Sequence, residues 1–193
     1  MADILILGGT GYTGKLLARH LLEHSGTTLT LAARHSDKAQ ALAEALNRQF
    51  PGNRVTAVRA DAADAASLRA AFQGHRLAVI AAPTTAYVET VARAALETGV
   101  DYLDVQLSPQ KFAVLQSLAG EIEQAGRCFI TEAGFHPGLP AALAQYAAAH
   151  LDTIESAITA GYLNMGKDLP YTEAVDELIE LFKDYQAQVY KNG

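Results

Sequence analysis

Residues 9–16 read GTGYTGKL, and the fold turns on which phosphate this stretch is built to hold. Taken as Gly9, four residues, Gly14 and Lys15, it is most of a nucleoside-triphosphate loop. Taken as Gly9-x-Gly11-x-x-Gly14, it is the dinucleotide fingerprint. A triphosphate loop needs Ser or Thr straight after its lysine, because that hydroxyl ligates the phosphate-bound magnesium. Leu16 stands there and cannot ligate a metal. With Leu17, His20 and Leu21 it marks one helix face, so core packing is its expected role. No strand ending in a magnesium-binding Asp follows at a suitable place.

The dinucleotide reading agrees with its surroundings at each step. ADILIL before the glycines is a strand, and KLLARHLLEH after them is a helix. Gly9 and Gly11 allow a tight turn and a close approach to a pyrophosphate, and Gly14 allows helix and strand to pack closely. The helix start then offers unpaired N–H groups and the positive end of its dipole. A lone glycine motif is weak evidence; a strand, a helix and a βαβ unit of roughly 30 residues around it make it strong.

The rest of the chain repeats the alternation. Strands are expected at 3–7, 28–33, 54–59, 77–81, 102–105 and 128–131. Helices are expected between them at 13–23, 38–50, 65–72, 86–97 and 110–124. Ser36 and Asp64 suit helix N-caps, Pro109 suits a first turn, and Gly26, Gly74, Gly99 and Gly126 suit left-handed C-caps. ILIL and LAVIAA are apolar on both faces, as strands covered on two sides should be. With right-handed crossovers this makes a doubly wound, Rossmann-like parallel α/β sheet over residues 1–152.

After Gly134 the pattern changes. GFHPGLPAALAQYAAAH reads as a loop and one more helix. TIESAITAGY (153–162) alternates with period two, as a half-buried antiparallel strand does. Residues 171–190 carry an apolar stripe at helical spacing, Val175 to Val189. A lone strand and helix cannot make a core. Residues 153–193 are therefore expected to begin a second α+β domain, truncated here, and to form a homodimer through the unpaired strand and helix.

Half of the 193 residues are apolar and 19% are charged, enough for a sizeable core. A net charge of −6 argues against nucleic acid or an anionic membrane as partner. The single cysteine excludes an internal disulfide and, with no signal or spanning segment, points to the cytoplasm. No HExxH, GxSxG or paired Cys/His set is present, so no metal is expected. None of the eight tyrosines is followed four residues later by Lys, so short-chain dehydrogenase chemistry is not expected.

The second strand should end at Ala33. An NAD site usually carries an acidic residue there, to accept from the ribose 2′-hydroxyl. Here Arg34 offers a cation that can fork onto a 2′-phosphate, with Ser36 and Lys38 as further donors, so NADP is the expected cofactor. Asp61 is either an acceptor for the adenine amino group or a turn former. Ala81, Ala82 and Pro83 end the fourth strand at the ligand-binding edge, where small side chains leave room for ribose and nicotinamide. His136, in a Gly/Pro-rich loop, is a candidate proton relay, although a backbone hydrogen bond is the expected role of its ring. Asp104 and Gln106 flank the end of the fifth strand, where a structural role is expected.

GGTGYTG, AAR, DAADxxSL, VIAAP, ALETGVDYLDV and TEAGFHPGLPA come in that order. Together they resemble the NADP-binding domain of the saccharopine dehydrogenase-like family over residue 3 to about residue 142. The resemblance implies NADP-dependent hydride transfer, in many members at an amino-acid or imine carbon of a small-molecule substrate. It carries over Gly9, Gly11, Gly14, Arg34, Asp61 and Ala82 as cofactor contacts, set among Gly8, Thr10, Tyr12 and Thr13 of the same turn. It also implies a chain roughly twice this length, so substrate-determining residues are expected to lie elsewhere. A cofactor-binding sensor without turnover is the alternative from another class, since one fold hosts both.

Overall fold

The computed structural model describes residues 3–135 and 138–160. Six parallel strands form one sheet: β1 (Ile4–Leu7), β2 (Leu29–Ala33), β3 (Val55–Arg59), β4 (Leu77–Ile80), β5 (Asp101–Asp104) and β6 (Phe129–Ile130). Their order is β3-β2-β1-β4-β5-β6, the doubly wound arrangement expected of the sequence. β1 lies at its centre, with Ile4 in register with Leu29 on one side and Leu77 on the other.

Side chains alternate between two cores, as strand geometry requires. Ile6, Leu29 and Leu31 pack with Ala18 and Leu22 of α1 (Tyr12–His24) and with Ala39, Ala43 and Leu46 of α2 (Ser36–Gln49). Leu5, Leu7, Ile80 and Tyr102 face the other way. They pack against Phe72 of α3 (Ala65–Phe72), Val91 and Ala95 of α4 (Val88–Thr98), and Leu115 of α5 (Pro109–Ser117). Continuous apolar strands are the signature of a sheet covered on both faces.

Several local expectations hold. Asp64 caps α3 by accepting from the N–H groups of Ala66 and Ser67, and Ser108 caps α5 ahead of Pro109. Gly99 ends α4 in the left-handed conformation, φ 68°. Others are corrected. His35 occupies the cap position of α2 and Ser36 is already helical, because the chain leaves β2 and turns after only two residues. Gly26 is not left-handed: α1 ends one residue earlier, at Ser25, whose N–H and hydroxyl both donate to the Leu21 carbonyl. The expected helix 110–124 is two, α5 and α6 (Ala119–Gln124), broken where Leu118 turns its side chain into the core. Leu16 is 54% exposed rather than in the core, because Gly14, Ala18 and Leu22 form the line that faces the sheet.

The last helix among the described residues, α7, spans Gly138–Ala148. Residues 153–160 form no strand and are exposed, since a single strand is not stable without a partner ladder. The remainder of the expected strand, the helix over 171–190 and the dimerisation assigned to them lie outside the described residues.

Two side-chain devices fix the edges. On one, Asn47 of α2 donates to the Val55 carbonyl (2.8 Å) and accepts from the Val55 N–H (3.0 Å), pairing as a neighbouring strand would. On the other, the carboxylate of Asp104 gathers the ends of β5 and β6. Its Oδ2 accepts from the hydroxyls of Tyr102 (2.7 Å) and Thr131 (2.9 Å), and its Oδ1 from the N–H groups of Gln106 and Glu132 (both 3.2 Å). Lys111 of α5 lies 3.5 Å away, and both charged side chains are 0% exposed. Burial, reinforced by the negative charge of Asp104 and the bond to it, pushes the Tyr102 phenol far above its ordinary range.

Two outcomes follow from this network. Lys111→Met leaves a buried carboxylate beside no ammonium and should lower stability by about 3–5 kcal/mol in urea unfolding. Adding Asp104→Asn should recover part of that loss. The Tyr102 phenol is raised only in the folded chain, so its contribution is whole below the ordinary phenol value of 10.0 and falls as pH rises above it. Tyr102→Phe should remove that component of alkaline destabilisation, measured as unfolding midpoints between neutral and alkaline pH.

Candidate functional site at the carboxyl edge of the sheet

The turn after β1 is built from close approaches that only glycine permits. Gly8 takes φ 86° and donates its N–H to the Ala32 carbonyl at 2.9 Å. A Cβ on Gly8 would lie 2.6 Å from the Ala81 carbonyl oxygen, so β4 closes directly on the turn. A Cβ on Gly14 would run into the Gly8 carbonyl oxygen and sit 2.8 Å from the Gly9 Cα. The third glycine therefore sets how near α1 comes to β1. Gly11 differs: its Cβ would meet the Gly8 carbonyl oxygen at 3.2 Å and the Ala81 oxygen at 3.9 Å, and otherwise open space. That space is the crevice between β1 and β4, where the strand order reverses.

Charge at this point favours an anion. The first turn of α1 holds no acidic residue, and its leading N–H groups, at Tyr12, Thr13 and Gly14, have no acceptor within the helix. Tyr12 and Thr13 are exposed and Thr10 is half-buried at the mouth of the turn. Across β2, Arg34 leaves the sheet edge exposed, and among the described residues its guanidinium has no hydrogen bond or ion pair. Ser36 and Lys38 are exposed beside it, with Asp37 between them.

The remaining sequence candidates fall on the same edge. Asp61, half-buried just after β3, accepts from the Ala63 N–H at 3.1 Å, the turn-forming role. Ala81 and Ala82 are half-buried against the glycine turn and Pro83 is exposed. His136 lies outside the described residues.

Three features escaped the motif reading. The Thr84 hydroxyl, in a residue 1% exposed, is a buried polar group without a partner among the described residues. Lys111 is buried, although its sequence position reads as ordinary helix. Glu132 adopts φ 58°, which a side chain with a Cβ rarely takes. The available signal was Tyr102-x-Asp104, two polar-tipped residues on the buried face of one strand, with Lys111 in the first turn of the next helix.

Comparison with known proteins places this chain in a family. The model of the saccharopine dehydrogenase NADP binding domain matches residues 4–130, which hold all six strands. A probable mitochondrial saccharopine dehydrogenase-like oxidoreductase of Arabidopsis thaliana is 28% identical over 151 residues, 73% of this chain and 33% of that protein. Among solved structures, apo saccharopine dehydrogenase (L-Glu forming) from Saccharomyces cerevisiae aligns with a TM-score of 0.61 at 24% identity. That alignment covers 78% of this chain and 32% of the other. Citrobacter sp. triphenylmethane reductase complexed with NADP(H) aligns at 0.52 and 21% identity, covering 67% and 48%. At these identities the structural likeness is one of fold. The chain spans about a third of the length of the Arabidopsis and yeast relatives. No helix of the described residues is long and apolar enough to cross a membrane. With its family model matched over residues 4–130, the chain belongs to the saccharopine dehydrogenase NADP-binding domain family.

Proposed function

We propose that this chain is the cofactor-binding part of an NADP-dependent oxidoreductase acting on a small amino-acid, imine or carbonyl-derived substrate. The observation that carries the reading is the pairing of a glycine-rich turn at the β1/β4 crevice with Arg34, at the end of β2, which has no partner among the described residues. When bound, the nicotinamide supplies or accepts the hydride. The chain's own residues bind and orient. The N–H groups at the start of α1 receive the pyrophosphate, and Gly11 leaves the approach clear. Arg34, aided by Ser36 and Lys38, forks onto the 2′-phosphate. Asp61 keeps Oδ2 for the adenine amino group, and Ala81, Ala82 and Pro83 leave room for the nicotinamide ribose. The same residues serve a sensor without turnover, and NADPH oxidation in the presence of a keto acid and an amine separates the two.

Calorimetric titration should show NADPH binding more tightly than NADH. Arg34→Ala should remove most of that preference, about tenfold or more, since a charge-assisted hydrogen bond contributes about 1.5–3 kcal/mol. Equal affinity of the native chain for the two cofactors rejects the assignment.

The two inner glycines should separate binding from folding. Gly11→Val fills the crevice and should abolish NADPH binding while the circular dichroism melt stays close to native. Gly14→Ala forces backbone apart and should lower stability by about 1–3 kcal/mol as well as weaken binding. A normal melt for Gly14→Ala contradicts the close approach.

A further inference from the structure

Glu132 combines features that a purely structural residue would not need. Its backbone is left-handed, φ 58°, a conformation strained for a side chain with a Cβ and relaxed for glycine. The strain is held by the Asp104 frame: the Glu132 N–H donates to Asp104 Oδ1 at 3.2 Å, and the next N–H, of Ala133, donates to the Asp104 carbonyl at 2.9 Å. Gly134 then packs so closely on the Val105 carbonyl that a Cβ there would collide with it. The loop is thus clamped onto the end of β5 with a carboxylate at its first position.

That carboxylate is poorly served by the protein. Its Oε1 accepts from the Ser108 N–H at a long 3.4 Å, and no cation pairs with it among the described residues. The nearby ammonium, Lys111, is fully buried and engaged with Asp104 and the Gln106 amide (2.9 Å). Among the described residues, Glu132 is also the only titratable one lining a hollow of about 570 Å³. Phe112, Ile130, Leu139 and Ala142 make its other walls apolar. An apolar hollow with one convergent polar group is the usual form of a small-molecule site. A half-buried carboxylate in it calls for a positive partner.

We propose that Glu132 is the recognition carboxylate for a small ligand carrying a cationic nitrogen on an apolar body. The proposal rests on the reading above in that this ligand is the substrate side of the NADP site. The Asp104–Lys111 pair acts through Glu132 as a positioning device, fixing the backbone from which the carboxylate points.

The test titrates the 15N-labelled full chain with n-pentylammonium chloride, with and without NADPH, and repeats it with sodium hexanoate as the anionic counterpart. Saturable shifts of the Thr131, Ala133 and Gly134 amides are expected with the amine and not with the acid. Glu132→Gln should weaken the amine by about tenfold or more while leaving NADPH affinity unchanged. Glu132→Gly should lose amine binding yet raise the melting temperature, because it relieves the left-handed strain. No saturable shift with the amine, equal shifts in Glu132→Gln, or a lower melting temperature for Glu132→Gly overturns the proposal. Failure of NADPH to bind the native chain instead overturns the cofactor reading, and the cofactor-free titration still decides the role of Glu132.

Discussion

The distance between α1 and β1 is set by what Gly14 lacks. With the Gly8 carbonyl directly beneath it, any Cβ would lift the helix off the sheet, and the small line Gly14, Ala18, Leu22 would no longer reach Ile6 and Leu31. The same contact aims the helix start at the β1/β4 crevice, so packing and ligand geometry rest on one constraint. That is why Leu16, beside the fingerprint, can be left at the surface: the close approach already chooses which helix face is buried.

A second constraint, the Asp104 carboxylate, does for the far half of the sheet what the glycine turn does for the near half. Four donors and a buried ammonium converge on it from β5, β6 and α5. The two halves meet through the β1–β4 ladder. On the cofactor reading proposed above, a dinucleotide over the crevice would bridge that seam. Frames of this kind on either side would suit the proposed site, which would have to hold cofactor and substrate in one orientation.

The sequence made the sheet legible because parallel strands covered on both faces are unusually apolar and the glycine spacing names the first turn. Boundaries shifted where local chemistry competed with the pattern. Ser36 is a good cap residue, yet the short β2–α2 turn gave the position to His35. The break at Leu118 follows from burial of one side chain, which helical periodicity does not encode. Cofactor candidates can be proposed from sequence because their positions follow from strand ends. The Asp104–Lys111–Glu132 frame was not legible, since it depends on a strand pairing, a helix placement and a backbone sign that no single window of sequence contains. Residues 153–160 read as a strand by alternation alone, but alternation states what a strand would look like and not that a partner exists.

Asn47 has a consequence for how the sheet can grow. By taking both the N–H and the C=O of Val55, its carboxamide acts as a terminator on a polymer end, occupying the first template position on the β3 side. β6, two residues long, ends the opposite side without such a plug among the described residues. Pairing of a further strand in register from Val55 is thereby hindered on the β3 side and not on the β6 side. The two ends of the sheet are thus unlike: the β3 end carries a side-chain plug at its first position, and it lies one strand beyond the one that leads into Arg34.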